Sequence, residues 1–154
     1  MITVRHYNAD SFYRRKDLDI FAALTNGRGG AMIATLFYRH PEDHIFVMRE
    51  NGNIIGWVNA SRLWSGSYDR LDSFYVSFFI DKKHRGRGLA KRFPAALRRW
   101  IPDGNYILGF HYESVRRIMN KSFFEVIERN DHYYGWDKYR IKKKNAGKHR
   151  VQND

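Results

Sequence analysis

The stretch Ser73–Trp100, SFYVSFFIDKKHRGRGLAKRFPAALRRW, constrains this chain more than any other. It opens on Phe74, Tyr75, Val76, Phe78, Phe79 and Ile80, interrupted only by Ser77, and such an aromatic and β-branched run predicts a strand covered on both faces. A charged turn, Asp81-Lys82-Lys83-His84, leads into Arg85-Gly86-Arg87-Gly88-Leu89-Ala90. Beyond it Leu89, Ala90, Phe93, Ala96, Leu97 and Trp100 recur at spacings of three and four, which predicts a helix running to about Trp100. Pro94 either kinks this helix or marks a late N-terminus, because its ring removes a ladder N–H.

A strand, a turn of glycine and arginine, and a helix start form a place to hold phosphate. First-turn N–H groups lack partners within the helix, and the dipole puts partial positive charge there. Glycines let the backbone approach an anion closely, and Arg85 and Arg87 add full charges. The G-x-G-x-x-G spacing of a dinucleotide site is absent, and so is the G-K-[ST] of a Walker loop.

Arg85-x-x-Gly88-x-Ala90, after an apolar strand and opening an amphipathic helix, resembles the acyl-CoA signature of the Gcn5-related N-acetyltransferases (GNAT). The resemblance extends from Ile45 to about Arg140. It implies an α/β (α+β) fold with a mixed, mostly antiparallel central sheet flanked by helices and splayed between its fourth and fifth strands. It also implies acetyl-CoA as co-substrate and transfer of an acyl group to a primary amine.

The rest of the chain reads consistently with that order. Ile2–Arg5 suits a short strand, Phe12–Leu24 helical segments, and Thr25–Gly30 a glycine-rich loop; Ala31–Tyr38 suits helix or strand equally. His44–Arg49 and Ile54–Leu63 flank Asn51-Gly52, a type I′ hairpin signal. Trp64–Arg70 reads as a loop and Leu71–Ile80 as the central strand. Tyr106–Phe110 reads as a buried strand, followed by a helix capped by Ser114 and strands at Phe123–Arg129 and Trp136–Ile141. Residues 1–141 are thus expected to form one domain, with 142–154 a basic disordered tail.

By the resemblance, main-chain N–H groups of Gly86, Arg87, Gly88, Leu89, Ala90 and Lys91 hold the diphosphate, with Arg85 at the head of the motif. Backbone groups of Phe78, Phe79 and Ile80 run along the pantetheine, and Lys91, Arg116 and Arg117 are candidates for the 3′-phosphate. Many family members place an Asn at the start of the next helix and a Tyr about seven residues on. Aligning the family's Gly-Phe on Ser122-Phe123 or on Phe123-Phe124 puts His111 or Tyr112 at the first and Ile118 or Met119 at the second, so the usual acid is missing. Ser114, Tyr112, Tyr133 and Tyr134 are the substitute donors; Asp72, Glu113 and His111 are the candidate proton acceptors.

Composition bears on the acceptor. The chain carries 28 Lys+Arg against 16 Asp+Glu, a net charge of +12, which suggests a polyanionic partner. Relatives that acetylate aminoacyl-tRNA or modify DNA bases are also small and basic, so a tRNA or DNA acceptor is expected. Protein or small-molecule amines are the alternative, a cationic polyamine being disfavoured unless a local acidic pocket exists. A non-catalytic nucleic-acid-binding module of the same fold is the third reading. The absence of cysteine excludes disulfides, thiolate nucleophiles and Cys-based zinc sites, and the seven histidines are too scattered to suggest a metal. No apolar run approaches the ~18 residues of a membrane span, so a cytoplasmic protein is expected. Oligomeric state is left open, a homodimer included.

Overall fold

The structure, a computed structural model, describes residues 1–8, 43–62, 72–110, 112–119, 121–130 and 135–142. The expected elements between Phe12 and Tyr38, the Trp64–Arg70 loop and the tail beyond Lys142 lie outside these residues.

The strands are β1 (Ile2–Asn8), β2 (His44–Glu50), β3 (Asn53–Ser61), β4 (Ser73–Ile80), β5 (Tyr106–Phe110), β6 (Phe124–Glu128) and β7 (Trp136–Ile141). They form one seven-stranded sheet in the order β1-β2-β3-β4-β5-β7-β6. Every neighbouring pair is antiparallel except β4 and β5, which run parallel. The β2–β3 turn has φ of 50° at Asn51 and 85° at Gly52, the left-handed pair that a type I′ hairpin demands.

Pairing between β4 and β5 stops early. It covers Ser73↔Tyr106 to Val76↔Gly109, while β3 follows β4 all the way to Gly56↔Ile80. Among the described residues Ser77–Ile80 therefore has a strand neighbour on one side only, and the sheet is open there. Burial follows: Ser73–Val76 is buried and Ser77–Ile80 half-buried. The central strand is thus covered on both faces over its first half only.

Side-chain alternation separates two faces. Phe46, Val58, Phe74, Val76, Phe93, Leu97 and Tyr139 pack into the main core beneath the helices. Tyr7, Ile45, Val47, Ile54 and Trp57 form a second cluster on the opposite face. The helix after the glycine motif begins later than its periodicity suggests. Leu89–Arg92 is a 3-10 turn, and α1 spans only Phe93–Trp100 with Pro94 in its opening turn. Pro94 thus marks a late N-terminus, where its missing N–H costs nothing. The second helix, α2 (Glu113–Ile118), is capped by Tyr112 backbone and not by Ser114, which lies inside its first turn.

Asp137 on β7 is fully buried and ties α2 to the last hairpin. Arg116 meets its carboxylate with Nε at 2.7 Å and Nη2 at 3.1 Å, and Arg129 adds a contact at 3.0 Å. Burial alone would raise the Asp137 carboxyl, but hydrogen bonds from Arg116, the Asn130 N–H and Arg129 hold it below the usual carboxylate range. Tyr139, buried beside this charge, is pushed up to about 12 by burial and by Asp137.

Candidate active site

Where β4 loses β5, a cleft of about 520 Å³ opens. Phe78, Phe79 and Ile80 form one wall, the Arg85–Lys91 loop its end, and Ser114, Val115, Arg117 and Ile118 of α2 the other wall. Ser114, Arg117 and Ile118 reach it together because residues three and four apart share a helix face. That spacing was readable in the sequence, as was the apolar spacing of Val115.

The loop is fixed at its root. The Asp81 N–H donates to the Ile55 carbonyl at 2.7 Å, and a 3-10 turn over Lys82–His84 follows. Gly86 and Gly88 then adopt φ of 79° and 71°, and a Cβ at either would meet open space. Glycine is required there by backbone conformation rather than by crowding. The Lys91 N–H closes the next turn on the Gly88 carbonyl at 3.3 Å, so the amides of Gly88, Leu89 and Ala90 precede that ladder.

The arginine side chains have other partners. Arg85 lines the cleft, but its Nε donates to the Ile80 carbonyl at 2.7 Å and its guanidinium lies over Phe79. Arg87 turns away from the cleft and grips Glu50 through both nitrogens, at 2.9 and 2.7 Å. That hydrogen bonding holds the Glu50 carboxyl below its usual range. His84 joins them, with Nδ1 at 3.3 Å from Glu50. Arg116, a candidate for the 3′-phosphate, is engaged by Asp137, whereas Arg117 and Lys91 line the cleft.

The candidate proton carriers divide. Ser114 lines the cleft. Tyr112 is 53% exposed and stacks on Phe110 outside that lining. Glu113 faces solvent and lies 3.6 Å from Arg117. Asp72 stands before the first residue of β4, accepting from the Ser73 hydroxyl at 3.0 Å. At ~3.3 Å per residue it is on the order of 20 Å from the open end of the strand, so the fold does not bring it to the cleft. His111, Tyr133 and Tyr134 lie outside the described residues. Among the described residues no group of three or more His, Cys, Asp or Glu is placed to hold a metal. No helix among them is long and apolar enough to cross a membrane.

A mostly antiparallel sheet whose one parallel pair parts over a glycine-turned loop defines the N-acetyltransferase class of fold. The chain belongs to the acetyltransferase (GNAT) family, which it matches over residues 5–111. No curated protein sequence matches it significantly. Solved structures are similar in fold at low identity. The aminoglycoside acetyltransferase AAC(6′)-Ib in complex with coenzyme A superposes with a TM-score of 0.60 at 14% identity, covering 97% of this chain and 98% of that one. The spermidine/spermine N-acetyltransferase SpeG of Vibrio cholerae gives 0.58 at 15%, covering 99% and 98%. A GNAT-family acetyltransferase of Streptococcus pneumoniae gives 0.58 at 13%, covering 92% and 99%.

Proposed function

We propose that this protein transfers an acetyl group from acetyl-CoA to a primary amine. One observation carries the reading: the unpaired half of β4 and the positive-φ glycine loop open onto the same cleft. The cleft suits a long phosphorylated thioester. Its loop presents the amides of Gly86, Arg87, Gly88, Leu89 and Ala90 to a diphosphate, and the side chains of Lys91 and Arg117 supply positive charge. Exposed backbone of Phe78, Phe79 and Ile80 pairs with the amide-bearing arm as a neighbouring strand would.

When bound, acetyl-CoA supplies the acyl group on a thiol that leaves more readily than an alcohol. A β4 amide near Ile80 donates to the acyl oxygen as charge develops there, a contact worth ~3 kcal/mol in the transition state. Ser114, the candidate donor that lines the cleft, delivers a proton toward the departing sulfur. Among the described residues no carboxylate lines the cleft, and the amine proton passes to solvent or through water.

Similarity to an aminoglycoside acetyltransferase and a spermidine/spermine N-acetyltransferase favours a small amine as acceptor, while the net charge of +12 favours one borne on nucleic acid. Mass spectrometry after incubation with labelled acetyl-CoA, with small amines, aminoacyl-tRNA and DNA each present, tests both. Label on any amine supports the transferase reading, and label on none of them contradicts it. Label on nucleic acid, with transfer falling steeply as salt rises, selects the second acceptor.

A further inference from the structure

Between Lys82 and Pro102 the chain carries eight Lys and Arg and no Asp or Glu. Three of the eight are accounted for by the loop and the cleft. Arg85 is held on the Ile80 carbonyl, Arg87 on Glu50, and Lys91 lines the cleft. Arg92 and Arg99 stand at the two ends of α1, exposed, and among the described residues their guanidinium groups form neither an ion pair nor a hydrogen bond. Seven residues apart, they lie two turns along one side of the helix, on the order of 10 Å from each other. Only Ala95 is exposed between them.

The positive surface continues sideways. Arg98 places its guanidinium 5.4 Å from the centre of the Phe123 ring, and two residues before Phe123 the Lys121 carbonyl accepts from the Lys142 ammonium at 2.8 Å. Lys121 and Lys142 are both exposed. The chemistry of this face selects the kind of partner. Phe93, Pro94 and Leu97, the apolar side of α1, are buried in the core. Trp100 is 43% exposed, but its ring stacks on His6 at 4.0 Å. What α1 turns outward is therefore arginine around one alanine. It lacks the apolar face that lies in a bilayer and the apolar centre of a protein interface. A row of fixed cations without apolar surface fits a polymer of regularly spaced anions, which is the backbone of a nucleic acid.

We propose that the outer face of α1, anchored by Arg92 and Arg99, docks the phosphodiester backbone of a nucleic acid without reading its base sequence. The surface is separate from the cleft, since neither arginine lines it. Nucleic acid and acetyl-CoA are thus held at the same time, and the docking does not depend on the transferase reading. It is a hold on the polymer and assigns no acceptor amine.

The test is fluorescence anisotropy of labelled mixed-sequence duplex DNA, and in parallel of labelled tRNA, titrated with the full chain over a range of salt. The double variant Arg92→Gln/Arg99→Gln is compared with Arg5→Gln/Arg140→Gln, which removes the same charge from the opposite face. Val4, Tyr139 and Ile141 pack into the core beneath the helices, so Arg5 and Arg140 point the other way. The α1 variant is expected to bind on the order of tenfold more weakly near 0.1 M salt. Its plot of log affinity against log salt should flatten by about two phosphate contacts. The control should change affinity by less than about twofold, and acetyl-CoA should bind all three proteins alike. Saturating acetyl-CoA should leave the nucleic acid bound. A wild type that binds neither probe, an equal loss in the control, or displacement of the probe by acetyl-CoA overturns the docking surface. So does capture by phosphatidylserine vesicles without binding to nucleic acid. Failure to bind acetyl-CoA, with the α1 effect intact, overturns the transferase reading instead.

Discussion

Arg87 and Glu50 form a two-pronged ion pair that joins the glycine loop to the end of β2, with distances of 2.9 and 2.7 Å. The side chain that the motif offers as a phosphate ligand is thereby a strut. Both groups are open to solvent, so the pair adds little to global stability, but it limits the positions the loop can take. Glu50→Gln should leave the melting temperature nearly unchanged and weaken acetyl-CoA binding roughly 2–5-fold, read by calorimetry. Arg87→Ala should do the same, and the double variant should be no worse than either single one.

Gly88 separates backbone strain from charge. With φ at 71° and open space where a Cβ would go, Gly88→Ala should fold at a cost of about 1 kcal/mol and bind acetyl-CoA a few-fold more weakly. Gly88→Glu adds a carboxylate beside the proposed diphosphate seat and should abolish binding. Denaturant titration and calorimetry on the two variants read the two effects apart.

His6 makes stability depend on pH. Its Nε2 lies 2.8 Å from Nδ1 of His44, and its ring stacks on Trp100 at 4.0 Å. Burial, then the neighbouring His44, lowers its pKa from 6.5 to about 4. The unfolded chain therefore takes up a proton at His6 between pH 6.5 and 4 that the folded chain refuses. Stability should be level above pH 7 and fall as pH drops through that window. Melting temperatures measured from pH 8 to 4 check this, and His6→Gln should flatten the decline.

The parts of the fold legible in the sequence are those set by local pattern. The Ser73–Ile80 run, the Asn51-Gly52 turn, and the strands at Tyr106–Phe110 and Trp136–Ile141 stand where their spacing put them. So does the glycine loop, since a positive φ needs only the glycine itself. What was illegible depends on distant partners. Nothing local shows that Arg87 will meet Glu50, or that Arg116 will be spent on Asp137. Asp72 and Glu113 looked equally close to the cleft, yet strand direction sends one to the closed end of β4 and a helix start turns the other toward Arg117. Ser114 reads as a cap because caps favour serine, but the chain enters α2 two residues earlier and Ser114 lines the cleft instead.

The central claim is that the opening beside β4 binds acetyl-CoA, and thermal unfolding with and without the ligand tests it most directly. At a hundredfold excess over its dissociation constant, a ligand that binds only the folded chain adds ~2.7 kcal/mol, a rise of roughly 5–10 °C for a domain of this size. The account predicts that rise at millimolar acetyl-CoA for the wild type and none for Gly88→Glu. An unchanged melting temperature in the wild type, or an equal rise in both proteins, would contradict it.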